Sequence, residues 1–208
     1  WSMQKMKPKL SLAVIIIALS LCSLVTSKAI AKEQSAVFAG GCFWCTESDF
    51  EKLDGVVSAA SGYIGGQLKN PTYKQVSSGG SGHTEAVEVI FDDQTVSYSD
   101  LVEYFWKTID PTDGSGQFCD RGQQYRSEIF YQTEEQRNIA QSSKDALAAS
   151  GLLKAEIATQ LTPSSRFYPA EDYHQDYYLK NPVRYNYYRW GCGREKRLEE
   201  LWGAPEKK

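Results

Sequence analysis

Apolar and polar residues alternate over short stretches of the chain, separated by segments with helical spacing. Ala36-Val37-Phe38-Ala39 is an apolar, strand-like run that leads into Gly40 and Gly41. The chain then reads helically, with Phe43, Phe50 and Leu53 available for one buried face. Val56 to Tyr63 predicts a second strand, which ends in Gly62-Tyr63-Ile64-Gly65-Gly66. Residues 85–91 alternate as a half-buried strand, with Glu85, Val87, Val89 and Phe91 sharing one face. Ser99-Asp100 predicts the cap of a helix through Leu101, Val102, Phe105 and Trp106, ending near Asp110-Pro111. Ser127 to Tyr131 reads as a strand, Thr133 with Glu134 and Glu135 opens a helix over 135–149, and residues 156–159 read as a last strand. Loops dense in Gly, Ser, Asn and Pro fill 69–82, and another loop fills 112–122. Beyond Tyr168 the chain is aromatic and helical, and Leu198, Leu201 and Trp202 have the spacing to dock on the body.

The order β-α-β-β-α-β-α-β, followed by an irregular C-terminal third, predicts an α/β (α+β) two-layer sandwich with a mixed sheet. A chain of 208 residues with 41% hydrophobic positions suits one globular domain that needs no metal or disulfide staple.

The N-terminus reads as separate from that domain. Lys5, Lys7 and Lys9 precede an apolar run over 10–25, and Ala29-Ile30-Ala31 fits the small-residue cleavage rule. Residues 1–31 are therefore expected to be a cleaved signal peptide, and 32–208 a single catalytic domain, exported to the periplasm or secreted. An uncleaved membrane anchor is the alternative. Trp1 and Ser2 stand before the first methionine, so Met3 or Met6 is the expected start. Net charge is −3, and the four lysines of 1–31 leave 19 basic against 26 acidic residues beyond them. Nucleic acid is not an expected partner, and nothing in the sequence points to an obligate assembly.

Four cysteines follow the signal: Cys42, Cys45, Cys119 and Cys192. Only one C-x-x-C is present, whereas structural zinc sites usually carry two, so no metal is expected. Cys42 opens a helix at a glycine turn, beside free backbone N–H groups and the positive end of the helix dipole. That position predicts a reactive thiolate.

GCFWCTE at 41–47 resembles the active-site signature of the A-type peptide methionine sulfoxide reductases. The resemblance continues through GYIGG, PTY, SGHTEAVEV, FW followed by DPT, DRGQQYRS and YPAEDYHQDY, and covers 36 to about 190. It implies a ferredoxin-like core and reduction of methionine-(S)-sulfoxide, free or in proteins, as repair after oxidative damage. Such a reaction needs an activated cysteine, a carboxyl group that stays protonated, hydroxyl donors for the oxygen and an apolar seat for the methyl group. The resemblance assigns these to Cys42, Glu85, Tyr73 with Tyr125, and Phe43 with Trp44. It makes Asp120 a substrate-orienting carboxylate and puts Glu171 and His174 in the wall near the substrate. It further implies a sulfenic acid on Cys42 and condensation with a second cysteine. The reductant is then an external, thioredoxin-like dithiol, with no bound cofactor. Cys45 is the first expectation for the resolving cysteine, Cys192 the next and Cys119 a third, and a Cys119–Cys192 disulfide, structural or relaying, stays open.

Three other classes fit fewer residues. A thioredoxin-like oxidoreductase gives no role to Glu85, Tyr73 or Tyr125. A cysteine hydrolase needs His83 or His174 beside Cys42 and leaves Cys45 idle. A peptide-binding module walled by Tyr173 to Trp190 needs no cysteine.

Overall fold

The computed structural model describes residues 1–3 and 33–204. Residues 4–32, which hold the expected export signal, lie outside the described residues. Among the described residues no helix is long and apolar enough to cross a membrane.

The apolar run seen in sequence is the centre of strand β1 (Glu33–Gly40), followed by helix α1 (Phe43–Phe50), β2 (Val56–Ile64) and β3 (Thr84–Asp92). Helix α3 (Tyr98–Thr108) then leads through the short ribbon β4 (Gly116–Gln117) and β5 (Asp120–Arg121) to β6 (Ser127–Tyr131), α4 (Glu134–Ala149) and β7 (Gln160–Pro163). A one-turn helix, α2 (Tyr73–Ser77), lies inside the Gly-rich loop. The chain closes with β8 (Tyr168–Pro169), α5 (Tyr177–Lys180), α6 (Pro182–Gly191) and α7 (Arg194–Trp202).

The main sheet runs β7-β6-β1-β3-β2-β8. β1 lies between β3 and β6, and β3 between β1 and β2, all antiparallel; β7 joins β6 in parallel. Each of the two β-α-β passages thus brackets a strand of the other, which is the interleaved ferredoxin-like core. One face of the sheet packs Phe38, Val87, Val89 and Phe91 against Phe43 and Phe50 of α1 and Leu101, Phe105 and Trp106 of α3. The opposite face carries a smaller cluster of Val37, Ala39, Ile64, Ala86 and Phe130, with Phe167 against it.

Three local expectations are corrected. Helix α3 is capped by Ser97, whose hydroxyl accepts from the Asp100 N–H while Asp100 reaches back to Ser97, so it begins two residues earlier than predicted. The strand expected at 156–159 lies at 160–163, because the N–H groups of Ala158 and Thr159 both donate to the carbonyl of Pro111, and it is followed by the short β8, which the sequence reading did not mark. The loop over 69–82 holds α2, opened by the Thr72–Gln75 capping box.

The C-terminal third is helical and docks largely through polar groups. Arg194 is 2% exposed, donates to the Thr108 carbonyl at 2.8 Å and reaches the Gly40 carbonyl at 3.3 Å. Arg197 pairs with Asp110 at 2.8 Å, and Arg189 pairs with Asp49 at 2.8 Å. These bonds seat α6 and α7 against the ends of β1, α1 and α3.

Candidate active site

The turn between β1 and α1 explains its two glycines. A Cβ on Gly40 would lie 2.8 Å from Thr46 Oγ1, and one on Gly41 would lie 2.6 Å from Gln117 Cβ. Gly41 also adopts φ +85°, a conformation that side chains with a Cβ rarely take. Gln117 is fully buried and exchanges two 2.8 Å bonds with the backbone of Asp110, so the β4–β5 ribbon is pinned beside the turn. Cys42 then occupies the N-cap of α1.

A cavity of about 70 Å³ opens at Cys42 and is lined by Phe43, Trp44, Tyr73, Glu85, Asp120, Tyr125 and Tyr188. Seven of these eight residues are ones the sequence singled out; Tyr188 is the addition. β3 presents Glu85 from its first residues, α2 presents Tyr73, and a 3₁₀ turn over Gln123–Tyr125 presents Tyr125. Gln124 ties the last two together, since its carbonyl accepts from Thr84 Oγ1 at 3.0 Å and its amide donates to the Ser77 carbonyl at 3.2 Å. Tyr73 and Tyr125 share a hydrogen bond.

Glu85 is 2% exposed, and its Oε2 accepts from the Phe43 N–H at 3.1 Å. Burial drives its pKa well above the usual carboxylate range, against the opposing pull of that N–H; nearby Asp120 adds to the rise. A buried, protonated carboxyl group facing the cavity is a proton donor in waiting. Burial also lifts the Tyr73 hydroxyl to about 12 and raises that of Tyr125, so both stay protonated as donors.

The thiols depart from the sequence expectation. Burial raises the pKa of Cys42 well above its usual value, and the hydrogen bond to Cys45, with the nearby carboxyls of Glu85 and Asp120, adds to the rise. Cys45 moves the other way, to about 7, because it accepts that hydrogen bond and faces Arg194 and Arg189. The first-turn N–H expected to favour a Cys42 thiolate is instead spent on Glu85. The resting pair therefore keeps the proton on Cys42 and places negative charge on Cys45 first.

Glu171 and His174 do not line the cavity; they stand behind it. Glu171 accepts from the Tyr73 N–H and the Tyr63 hydroxyl, each at 2.8 Å, and so fixes the start of α2. His174 Nδ1 accepts from Trp44 Nε1 at 3.0 Å, while Trp44 stacks on Tyr177 with ring centroids 3.7 Å apart. Their part is to hold Tyr73 and Trp44 in place. His83 bonds the Gly66 N–H and the Leu68 carbonyl, away from the cavity, so neither histidine stands as a base beside Cys42.

Cys119 and Cys192 form a disulfide, while Cys42 and Cys45 are free and buried. Beside that disulfide the Tyr188 hydroxyl donates to Asp120 Oδ2 at 2.5 Å and lies within hydrogen-bonding reach of the Cys42 sulfur. Tyr188 sits in an aromatic run that the sequence marked as helical and as the wall of a rival peptide-binding reading, with no part in the cysteine site. Arg189, Arg194 and Glu47 were also missed. Glu47 accepts from Ser61 at 2.6 Å and from the Asp176 N–H at 2.8 Å, binding α1 to β2 and to the C-terminal segment.

Residues 34–206 match the family model described as peptide methionine sulfoxide reductase. The chain is 56% identical over 169 residues to a peptide methionine sulfoxide reductase MsrA of Streptococcus agalactiae, covering 81% of this chain and 99% of that one. It is 50% identical over 198 residues to the peptide methionine sulfoxide reductase MsrA/MsrB of Vibrio cholerae, covering 92% of this chain but only 52% of that longer protein. The crystal structure of Mxr1 from Saccharomyces cerevisiae in reduced form is similar with a TM-score of 0.66 and 31% identity, covering 73% of this chain and 87% of that one.

Proposed function

The chain belongs to the peptide methionine sulfoxide reductase family, and on that premise we propose how its own residues carry out the reduction of methionine-(S)-sulfoxide in peptides and proteins. The observation that carries the reading is one small cavity that holds a buried thiol, a buried carboxyl group held neutral, tyrosine hydroxyls and an aromatic seat. The methyl group rests against Phe43 and Trp44. The sulfoxide oxygen is held by Tyr73 and Tyr125 and receives a hydrogen bond from the Glu85 carboxyl. Asp120 orients the substrate, with Tyr188 fixing its carboxylate.

Oxygen passes from the substrate sulfur to Cys42. Thiol and sulfoxide become a sulfenic acid and a thioether, with no net gain or loss of protons. Proton donation by Glu85 polarises the S–O bond as the Cys42 proton is given up, so the thiolate is generated only when substrate is in place. Cys45 then attacks the Cys42 sulfur, forming a disulfide and releasing water. Its lowered pKa supplies the thiolate, and it lies one helical turn away. Cys192 is already paired with Cys119, which favours Cys45 as the resolving residue. An external dithiol of the thioredoxin type then reduces the Cys42–Cys45 bond.

We also propose that the protein is exported. The basic and apolar residues of 1–31 support this, as does a disulfide containing the exposed Cys119, which suits an oxidising compartment.

The test is one turnover without reductant, followed by mass mapping of the disulfides. The expected product is a Cys42–Cys45 bond beside an intact Cys119–Cys192 bond. Cys45→Ser should still release one methionine per enzyme but stall as the Cys42 sulfenic acid. A Cys42–Cys192 link with Cys45 free would overturn the route.

A further inference from the structure

Asp120 and Tyr188 belong to segments far apart in the chain, and three contacts hold those segments together. The Arg194 guanidinium lies 4.4 Å from the Phe118 ring centroid, Cys119 is joined to Cys192, and Tyr188 donates to Asp120 at 2.5 Å. The backbone between them is not one that these residues would choose. Gln117 and Asp120 pair across the β4–β5 ribbon, so Phe118 and Cys119 make a two-residue turn. Phe118 takes φ 55° there, at the position where such hairpins ordinarily carry glycine. The turn keeps this shape because its two residues are clamped from the C-terminal segment, and its shape sets where Asp120 points. Cys119 is exposed to solvent, whereas Cys42 and Cys45 are buried.

We infer that the Cys119–Cys192 bond is a second redox site, open to small or protein dithiols, whose state sets substrate affinity at the cavity through Asp120 and Tyr188. The inference rests on the reading of that cavity as the methionine sulfoxide site. A dithiol's thiolate attacks the Cys119 sulfur, breaking the Cys119–Cys192 bond and forming a mixed disulfide. Its second thiol then displaces the Cys119 sulfur, so the dithiol is oxidised to a disulfide and the protein gains two electrons and two protons as two thiols. Once free, the turn can leave the φ > 0 conformation, and Asp120 parts from Tyr188. The site is then tight in oxidising surroundings and loose where dithiol is abundant.

Binding separates this effect from turnover. The full chain carrying Cys42→Ser cannot complete the reaction, so dithiothreitol can be added without consuming substrate. Affinity for a methionine-(S)-sulfoxide peptide is measured by calorimetry before and after reduction, with thiol alkylation and mass spectrometry reporting the Cys119–Cys192 bond. Loss of one charge-assisted hydrogen bond in the site predicts a rise in Kd of about tenfold on reduction, reversed by reoxidation. Adding Cys119→Ser and Cys192→Ser should fix the weaker Kd and remove its response to dithiothreitol. An unchanged Kd after verified reduction would overturn the inference, and so would loss of far-ultraviolet circular dichroism, which would make the bond a structural staple. An unchanged Kd, together with a Cys119→Ser, Cys192→Ser chain that keeps Cys42 and loses turnover only when a protein dithiol is the reductant, would replace it with an electron relay. No binding in either state would overturn the functional reading, and this inference with it.

Discussion

Glu85→Gln separates the proton from everything else that Glu85 does. The side chain is 2% exposed and makes one hydrogen bond, from the Phe43 N–H at 3.1 Å, which the glutamine carbonyl can still accept. Shape and packing are therefore kept, and only the acidic proton is lost. General acid catalysis contributes about 10²–10⁴ in rate, or about 3–5 kcal/mol of barrier, so the single-turnover rate should fall by that factor. The pH profile carries a second mark. Glu85 works protonated, so the wild-type rate should hold at low pH and fall about tenfold per pH unit above the raised folded pKa, a limb that the variant lacks.

Stability moves the opposite way. Because the folded pKa of Glu85 lies above its unfolded value, its contribution is complete below the unfolded pKa and is lost as pH rises through the folded one. Between the two, the wild type loses about 1.4 kcal/mol per pH unit relative to Glu85→Gln. The variant should therefore match the wild type in Tm near pH 4 and exceed it increasingly as pH rises toward the folded pKa. Stopped-flow single-turnover rates and thermal scans across that range provide both readouts. A rate loss below tenfold with the alkaline limb intact would refute the assignment of Glu85 as the acid.

Tyr188→Phe removes the hydroxyl that fixes Asp120 and keeps the ring edge-on to Trp44; KM should rise about tenfold while kcat changes less than about threefold, as read from steady-state kinetics. Arg194→Met leaves the Thr108 and Gly40 carbonyls without their buried donor and removes the nearby cation, 3.9 Å from Asp49; a cost of about 3–5 kcal/mol should lower Tm by about 6–20 °C in thermal unfolding.

The strands of the core were legible in the sequence because their signals are local, whereas their ferredoxin-like arrangement came only from the family resemblance. Glu85, Val87, Val89 and Phe91 alternate in the sequence and share one face of β3 in the fold, and Cys42 stands where the glycines end β1. Other features depend on partners remote in sequence. The N–H groups of Ala158 and Thr159 look free for a strand until Pro111 is seen to accept both. Helix α2 was hidden by the Gly, Ser and Pro around it, although its Thr72-x-x-Gln75 box was a readable start signal. Cys42 could be read as a helix N-cap, but the burial and the carboxyl groups that raise its pKa come from β3 and the β4–β5 ribbon. Tyr188 and Arg194 join the site only because α6 and α7 fold back over it, clamped by the Cys119–Cys192 bond. Glu171 and His174 were found by resemblance, yet only the geometry shows that they hold Tyr73 and Trp44 from behind.

The most direct test of the account is to incubate the full chain with dithiothreitol and a peptide carrying racemic methionine sulfoxide, then resolve the epimers that remain. The account predicts loss of the S epimer alone, abolished by Cys42→Ser. Persistence of both epimers while an insulin-type disulfide is reduced would contradict it, leaving a dithiol oxidoreductase in which Glu85, Tyr73 and Tyr125 have no catalytic part.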